Sequence, residues 1–396
     1  MKTAAIIAEF NPFHNGHKYL IEQAKKLTGA DAVLVLMSGD FVQRGEPAVF
    51  DKFMRARTAL LGGADLIIEI PVSVATASAE LYALGCICLL NQLDCIDYLV
   101  FGSESGKLED LKNISALLND EPDEFKSALK EELKKGVSFP KARQSALRSL
   151  CPDLELDSLL ALPNNILGIE YLKALSVTES KIIPVTVKRI GADYHDNKLN
   201  GHISSATAIR KSLHGSASFG SLPIPDNSLD ILLDSWHTSG PLFADDFSLL
   251  LKFCLLKKTK TSLISIMDIN DELANRILNQ RNNFIGFSQF CSLISTKNVT
   301  ESHVRRALLH ILLDIKNFSK EDMVTIVCNA RILGFRDEKK EVLSHLKKHS
   351  LIPLVTKIDE QNFSEMVFAS NLYHSVLSDK YQVPFIHEKS QKIVRI

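Results

Sequence analysis

Two histidines flank one glycine near the start of this 396-residue chain, in Glu9-Phe10-Asn11-Pro12-Phe13-His14-Asn15-Gly16-His17. The stretch lies between a predicted strand and a predicted helix. A helix N-terminus offers backbone N–H groups without intrahelical partners and a partial positive charge, both suited to phosphate. Gly16 lets a ligand approach the backbone closely. Each imidazole can donate a ring N–H to phosphoryl oxygens on which charge builds during transfer. Far along the chain, Ile203-Ser204-Ser205-Ala206-Thr207-Ala208-Ile209-Arg210 sets hydroxyls at a second predicted helix start, with Arg210 about one turn inside. Ser204, Ser205, Thr207 and Arg210 could hold the β- and γ-phosphates of a nucleoside triphosphate opposite the histidines. Each segment alone also reads as an ordinary capped helix start. Together they fit attack on an α-phosphorus with pyrophosphate leaving, with magnesium expected to help neutralise the triphosphate.

No other nucleotide signature competes. Gly102-Ser103-Glu104-Ser105-Gly106-Lys107 is one residue too short for a phosphate-binding loop of the G-x-x-x-x-G-K type, and no G-x-G-x-x-G occurs. His345 and His349 sit four apart on a predicted helix but lack a third ligand nearby, so no protein-held metal site is expected.

The elements that must position these residues alternate in type. Short apolar runs predict strands over Thr3–Glu9, Ala32–Met37, Leu66–Ile70, Asp97–Phe101 and Ile182–Val187. Helical spacing predicts helices over Tyr19–Leu27, Lys52–Leu61, Ser78–Leu90, Asn164–Leu175 and Ser205–Leu213. Alternation of this kind predicts an α/β fold, an N-terminal doubly wound parallel sheet of Rossmann-like type. A Gly-, Ser- and Pro-rich stretch marks a linker at 216–226, dividing a domain at 1–215 from a mainly helical one at 227–396. A small α/β end is expected there, with strands over Val324–Leu333 and Pro353–Lys357 and helices over Glu338–His349 and Ser364–Leu377.

Composition sets the outer limits. Hydrophobic residues are 45% and charged residues 23%, which excludes a disordered or fibrous chain. The formal net charge of −1 argues against coating nucleic acid through bulk charge. Charge is uneven, however. Residues 1–246 carry 24 Lys and Arg against 32 Asp and Glu, and residues 247–396 carry 22 against 15. The second half is therefore the side suited to an anionic macromolecule. Seven cysteines without a C-x-x-C pattern, no export signal and no apolar run of ~18 residues point to a cytoplasmic protein that needs no membrane.

The pairing of His-x-Gly-His with Ser-Ala-Thr-x-Ile-Arg at Ser205–Arg210 resembles the nucleotidyltransferase superfamily. A narrower likeness rests on Ala8–His17 (AEFNPFHNGH), Met37–Ala48 (MSGDFVQRGEPA), Pro163–Glu170 (PNNILGIE), Arg189–Tyr194 (RIGADY) and Val304–Leu312 (VRRALLHIL). In combination these segments resemble the bacterial tRNA(Met) cytidine acetate ligase family. The resemblance implies an enzyme that activates acetate with ATP as acetyl-adenylate, releasing pyrophosphate. It then transfers the acetyl group to N4 of the wobble cytidine of elongator tRNA(Met), releasing AMP. ATP, acetate and tRNA are the implied partners, with no obligate protein partner.

Carried over residue by residue, the resemblance implies an ATP-binding loop of Ile7, Ala8, Glu9, Phe10, Asn11, Pro12, Phe13, His14, Asn15, Gly16, His17, Lys18, Tyr19 and Leu20. His14 and His17 act on the phosphates, and Gly102, Asn164 and Arg189 complete the ATP site. Asp40 is a candidate for orienting acetate, magnesium or the incoming amine, with Gln43, Arg44 and Lys52 as further loop and helix candidates. Arg305 and Arg306, adjacent on an apolar helix, and Lys257 and Lys258 are candidate tRNA contacts, and at least one of the arginines is expected to be exposed. Two other readings use the same histidines: a small-molecule adenylyltransferase that makes a coenzyme precursor, and a non-catalytic RNA-binding protein on this fold. The first does not need a second, basic domain, and the second does not need the histidines.

Overall fold

The computed structural model describes residues 1–137, 139–150, 156–190, 204–214 and 222–396. Ten strands are formed among them: β1 (Thr3–Ala8), β2 (Ala32–Ser38), β3 (Phe41–Val42), β4 (Glu46–Pro47), β5 (Leu66–Ile70), β6 (Tyr98–Ser103), β7 (Ile183–Lys188), β8 (Ala330–Phe335), β9 (Leu354–Val355) and β10 (Val394–Arg395). The helices that matter for the site are α1 (Asn15–Thr28), α2 (Lys52–Leu61), α3 (Ala79–Leu93), α4 (Pro163–Val177), α5 (Ala206–His214), α6 (Glu301–Leu313) and α7 (Glu360–Tyr381).

Eight strands form one sheet in the order β10-β8-β5-β2-β1-β6-β7, with β9 paired to β8. From β5 to β7 every pairing is parallel, and β1 lies against β2 in unbroken register from Thr3↔Ala32 to Ala8↔Met37. The alternation of side chains gives each strand two buried faces. Ala5, Leu34, Leu36 and Ile68 pack on one side with Ile87 and Leu90 of α3. Ala4, Ile6, Val33, Val35 and Ile67 pack on the other with Ile21 of α1 and Leu60 of α2. This is why the strands read as continuous apolar runs, and the doubly wound parallel sheet expected from them is present.

The sheet extends across the predicted linker. β8 runs antiparallel to β5, with Leu66 opposite Phe335 and Glu69 opposite Arg331, and β9 and β10 flank its outer edge. The helical region at 227–396 thus sends three strands back to the N-terminal sheet. The strand expected over Val324–Leu333 is corrected: Met323–Ile326 is a helical turn, and extended pairing starts only at Ala330, where β5 supplies partners. Elsewhere in this region the helices build their own core, in which Phe247, Leu251, Phe290, Leu308, Ile311 and Tyr373 are buried together. Of the linker, residues 216–221 lie outside the described residues, as do Ile203, Cys151 and the Gly191–Tyr194 part of the RIGADY segment. No described helix is long and apolar enough to cross a membrane.

Candidate active site

From β1 the chain winds outward through β2 to β5, then returns to the other side of β1 for β6 and β7. The strand order reverses between β1 and β6, and the carboxyl ends of strands at such a reversal leave a crevice. A cavity of about 320 Å³ opens there, lined by the end of β1, the start of α1, Gly102 of β6, Arg189 after β7 and the first turn of α5. That volume lies at the lower end of the range for small-molecule sites, ~300–1,000 Å³.

The histidines sit at the mouth of α1. His14 is its N-cap: its Nδ1 accepts the amide of Gly16 at 3.1 Å, and Nδ1 of His17 accepts the amide of His14 at 3.3 Å. With Nδ1 accepting in both rings, each neutral imidazole carries its proton on Nε2. The rings stack at 3.7 Å, and Phe10 meets His17 edge-on at 4.8 Å. Burial, helped by the Arg189 and Arg210 charges, pushes His14 down to about 3. Burial, His14 and Arg189 hold His17 well below the ordinary imidazole range. Both rings are therefore neutral donors at pH 7, oriented by the backbone.

A buried guanidinium ties the loop before α1 to the turns after β2 and before α2. Arg55 donates to the carbonyls of Glu9 (2.6 Å), Ser38 (3.0 Å), Phe50 (2.9 Å) and Gly39. Asn11 Oδ1 accepts the Val49 amide at 2.8 Å. The distant serine-rich segment joins the same wall. Ser205 Oγ accepts the Ala208 amide at 3.1 Å, and Arg210 donates to the Asn11 carbonyl at 2.9 Å and to Thr207 Oγ1 at 3.2 Å. On the opposite flank Glu104 receives the Asn164 amide (3.3 Å), Asn164 Nδ2 (2.6 Å) and the Asn165 amide (2.8 Å), so a carboxylate caps the positive end of α4. Arg189 lies beside Gly102, where a Cβ would come within 3.4 Å of its Cγ, an ordinary van der Waals contact. Burial lowers the pKa of Arg189, and the Glu104 charge opposes that shift.

Most residues expected at an ATP site meet in this cavity: Ile7, Ala8, Glu9, Phe10, Asn11, His14, His17, Leu20, Gly102, Asn164, Arg189, Ser205, Thr207 and Arg210. Gly16 and Tyr19 line a smaller adjoining pocket with Val187 and Ile190. Pro12, Phe13, Asn15, Lys18 and Ser204 line neither. Phe13 packs on Gly62, where a Cβ would come within 2.2 Å of its ring, and the Asn15 amide bonds the Pro223 carbonyl. Gln43 and Arg44, from the turn between β3 and β4, also reach the cavity. The sequence reading missed the inner wall of Ala79, Tyr82, Phe101, Leu167 and Tyr171. Its residues look like core positions of α3, β6 and α4, and only a tyrosine within a Leu- and Ile-rich helix hints otherwise.

Three placements differ from expectation. Asp40 does not line the cavity. It lies in a buried ionic cluster in which Lys52 Nζ is 3.7 Å from Asp40, 2.9 Å from Glu69 and 2.9 Å from Glu388, with Arg331 also on Glu69 (2.8 Å) and on Glu388. Burial raises the Asp40 carboxyl, but Lys52, His374 and Arg55 outweigh it and hold it below its ordinary value. Asp40, His374 and Glu388 bring ligand atoms within 4.8 Å of one another, yet the Lys52 ammonium already fills the place a cation would take. Second, neither arginine of α6 is exposed. Arg305 bridges Glu46 of β4 (3.0 Å) and Glu301 (2.9 Å), and Arg306 bonds Asp268 (2.8 Å). Gly45, at φ +75°, sits against their backbone, where a Cβ would lie 2.4 Å from the Arg306 nitrogen. Sequence spacing could not show that the hairpin presses on this face. Third, Lys258 pairs with Asp314 at 2.8 Å, whereas Lys257 is exposed, 5.2 Å from the Phe253 ring centre.

A family model described as HIGH Nucleotidyl Transferase matches residues 1–391. The chain is similar to the tRNA(Met) cytidine acetate ligase of Acetivibrio thermocellus, 42% identical over 91% of this chain and 89% of that protein. It is similarly related to the tRNA(Met) cytidine acetate ligase of Caldanaerobacter subterraneus subsp. tengcongensis, 41% identical over 94% of this chain and 95% of that one. Two crystal structures of Thermotoga maritima TmcAL, at 32% identity and full coverage of both chains, superpose with TM-scores of 0.91 (apo) and 0.88 (bound with alpha-thio ATP).

Proposed function

The chain belongs to the tRNA(Met) cytidine acetate ligases of the HIGH nucleotidyl transferase family, and on that premise we propose which of its residues carry the reaction. ATP enters the crevice at the strand reversal. Its adenosine lies against Gly102 and Arg189, near the pocket of Val187 and Ile190, and its phosphates lie between the two histidines and the Ser205, Thr207 and Arg210 wall. Acetate attacks the α-phosphorus and pyrophosphate leaves. N4 of the wobble cytidine of elongator tRNA(Met) then takes the acetyl group, and AMP is released.

The observation that carries this reading is the pair of imidazoles whose Nδ1 atoms are tied to the backbone. Their Nε2–H donors are fixed before substrate arrives, so little reorganisation is needed as charge builds on the phosphates. They are neutral, and so are not themselves the counter-charge. Arg44, Arg189 and Arg210 supply that charge against Glu9, the one carboxylate among the described lining residues. Magnesium keeps most of its waters and binds chiefly through substrate phosphates, which suits a cavity with a single carboxylate. Glu9 is the residue that would reach it, and the ion would neutralise the triphosphate.

Residues 1–215, with β8, β9 and β10 completing their sheet, form the ATP-activating part of a cytoplasmic enzyme, and the helices of 227–396, beyond the linker at 216–226, form its tRNA-binding part. Lys257, on the exposed surface of the basic half, is the candidate phosphate contact. The test is mass spectrometry of nucleosides from unmodified tRNA(Met) incubated with the protein, ATP and isotope-labelled acetate. Labelled N4-acetylcytidine is expected, along with acetate-dependent release of pyrophosphate. Pyrophosphate release that depends instead on a phosphate ester would replace this reading with a coenzyme-forming adenylyltransferase.

A further inference from the structure

Among the inner-wall residues, Tyr171 of α4 is only 2% exposed, yet its hydroxyl makes no hydrogen bond to any described residue. A buried hydroxyl without a partner is costly, and this one belongs to a side chain on the surface of a ligand cavity. The ring is held in place. Phe101 meets it edge-on at 5.8 Å, and Gly168 makes room for Phe101, since a Cβ there would lie 2.7 Å from that ring. The surroundings are small and largely apolar, formed by Ala79, Tyr82, Phe101 and Leu167. Burial, with Cys86 and Glu9 nearby, pushes the phenol well above its ordinary range, so it stays a hydrogen-bond donor. Glu9 faces the same cavity with its Oε1 accepting the Gln43 amide at 3.1 Å, and three lining arginines outnumber it. The site therefore offers one donor that no described residue uses, an apolar stretch of cavity wall, and a lining in which arginines outnumber carboxylates.

Resting on the ligase reading above, we infer that this wall is the acetate subsite. The Tyr171 hydroxyl donates to the acetate carboxylate, and Ala79, Tyr82, Phe101 and Leu167 enclose its methyl group. In the activation step one acetate oxygen forms a bond to the α-phosphorus. The bond from that phosphorus to the oxygen bridging to the β-phosphorus breaks, and pyrophosphate leaves with the electron pair. The second acetate oxygen keeps the Tyr171 hydrogen bond and becomes the acyl oxygen of the mixed anhydride. No proton changes hands.

The test is Tyr171→Phe, which removes one oxygen and no intramolecular hydrogen bond, read by acetate-dependent ATP–pyrophosphate exchange and by thermal unfolding. The KM for acetate should rise about tenfold or more, the KM for ATP should stay within about twofold, and the unfolding midpoint should be unchanged or higher. A hydroxyl with a purely structural role would lower the midpoint and leave the acetate KM alone, and that result overturns the assignment. So would an ATP KM that rises in parallel with that for acetate, which would place the hydroxyl on the nucleotide. Wild-type protein without acetate-dependent exchange would instead sink the ligase reading itself, and with it this subsite.

Discussion

The two imidazoles cap α1 through one ring nitrogen and, on the proposed reading, meet the phosphates through the other. Nδ1 of each closes an α1 backbone bond, which leaves Nε2–H for the phosphates. His17→Ala removes one donor aimed at developing charge. Losses for such donors run to about 10²–10³ in rate, so acetyl-adenylate formation should fall on that scale while tRNA affinity, measured by filter binding, stays near wild type. The depressed His14 pKa has its own consequence for stability. An unfolded histidine takes up a proton below about 6.5, whereas folded His14 resists until about 3. Between those values the unfolded state binds more protons, so stability contributed by the neutral ring is complete above about 6.5 and is lost as pH falls, at about 1.4 kcal/mol per pH unit. His14→Asn keeps an oxygen that can cap Gly16 but does not titrate. Denaturant unfolding between pH 4 and 6.5 should therefore show a shallower pH dependence for this variant, and an unchanged slope would contradict the assigned burial.

At the level of elements, the buried cluster around Lys52 explains how β8 is fixed antiparallel to β5. Glu69 of β5 and Arg331 of β8 are directly opposite, and Lys52 of α2, its side chain 1% exposed, ties both Glu69 and Glu388. Lys52→Met would leave Asp40, Glu69 and Glu388 with one buried cation fewer, a change that typically costs about 3–5 kcal/mol. A fall in the thermal midpoint is expected, with partial recovery when Glu69→Gln is added. The sequence showed little of this. Asp40 stood as a candidate for orienting acetate, magnesium or the amine and Lys52 as a helix candidate, because Glu388 and Arg331, which complete their cluster, lie far along the chain. The central strands were legible because both faces are buried, and α2 and β5 were bounded correctly by the Gly62-Gly63 pair and Pro71. The β3–β4 hairpin was not, since two-residue strands carry no periodicity.

For the whole molecule, the Arg305–Glu46 ion pair means that α6 braces the hairpin carrying Gln43 and Arg44, while Arg306–Asp268 ties α6 to its own helical region. Both arginines are committed to ion pairs within the fold. Lys257 is the better probe of tRNA contact. Lys257→Ala should weaken tRNA binding at low salt and reduce the slope of log affinity against log salt concentration by about 1, as for loss of one phosphate contact. The acetate KM should not move, and a slope left unchanged would remove Lys257 from the interface. The sequence by itself determined the parallel sheet and the placing of His14 and His17 at a helix start, because period, capping and residue chemistry are local, and the resemblance to a known family suggested that Ser205–Arg210 would meet them. Only the tertiary structure decided that Asp40 is a buried ion-pair member, that Arg305 and Arg306 are held in ion pairs, that β8 returns to the first sheet, and that Tyr171 faces the cavity with a hydroxyl that no described residue bonds. Each of those depends on a partner far along the chain, and burial and countercharge are properties of the packed whole.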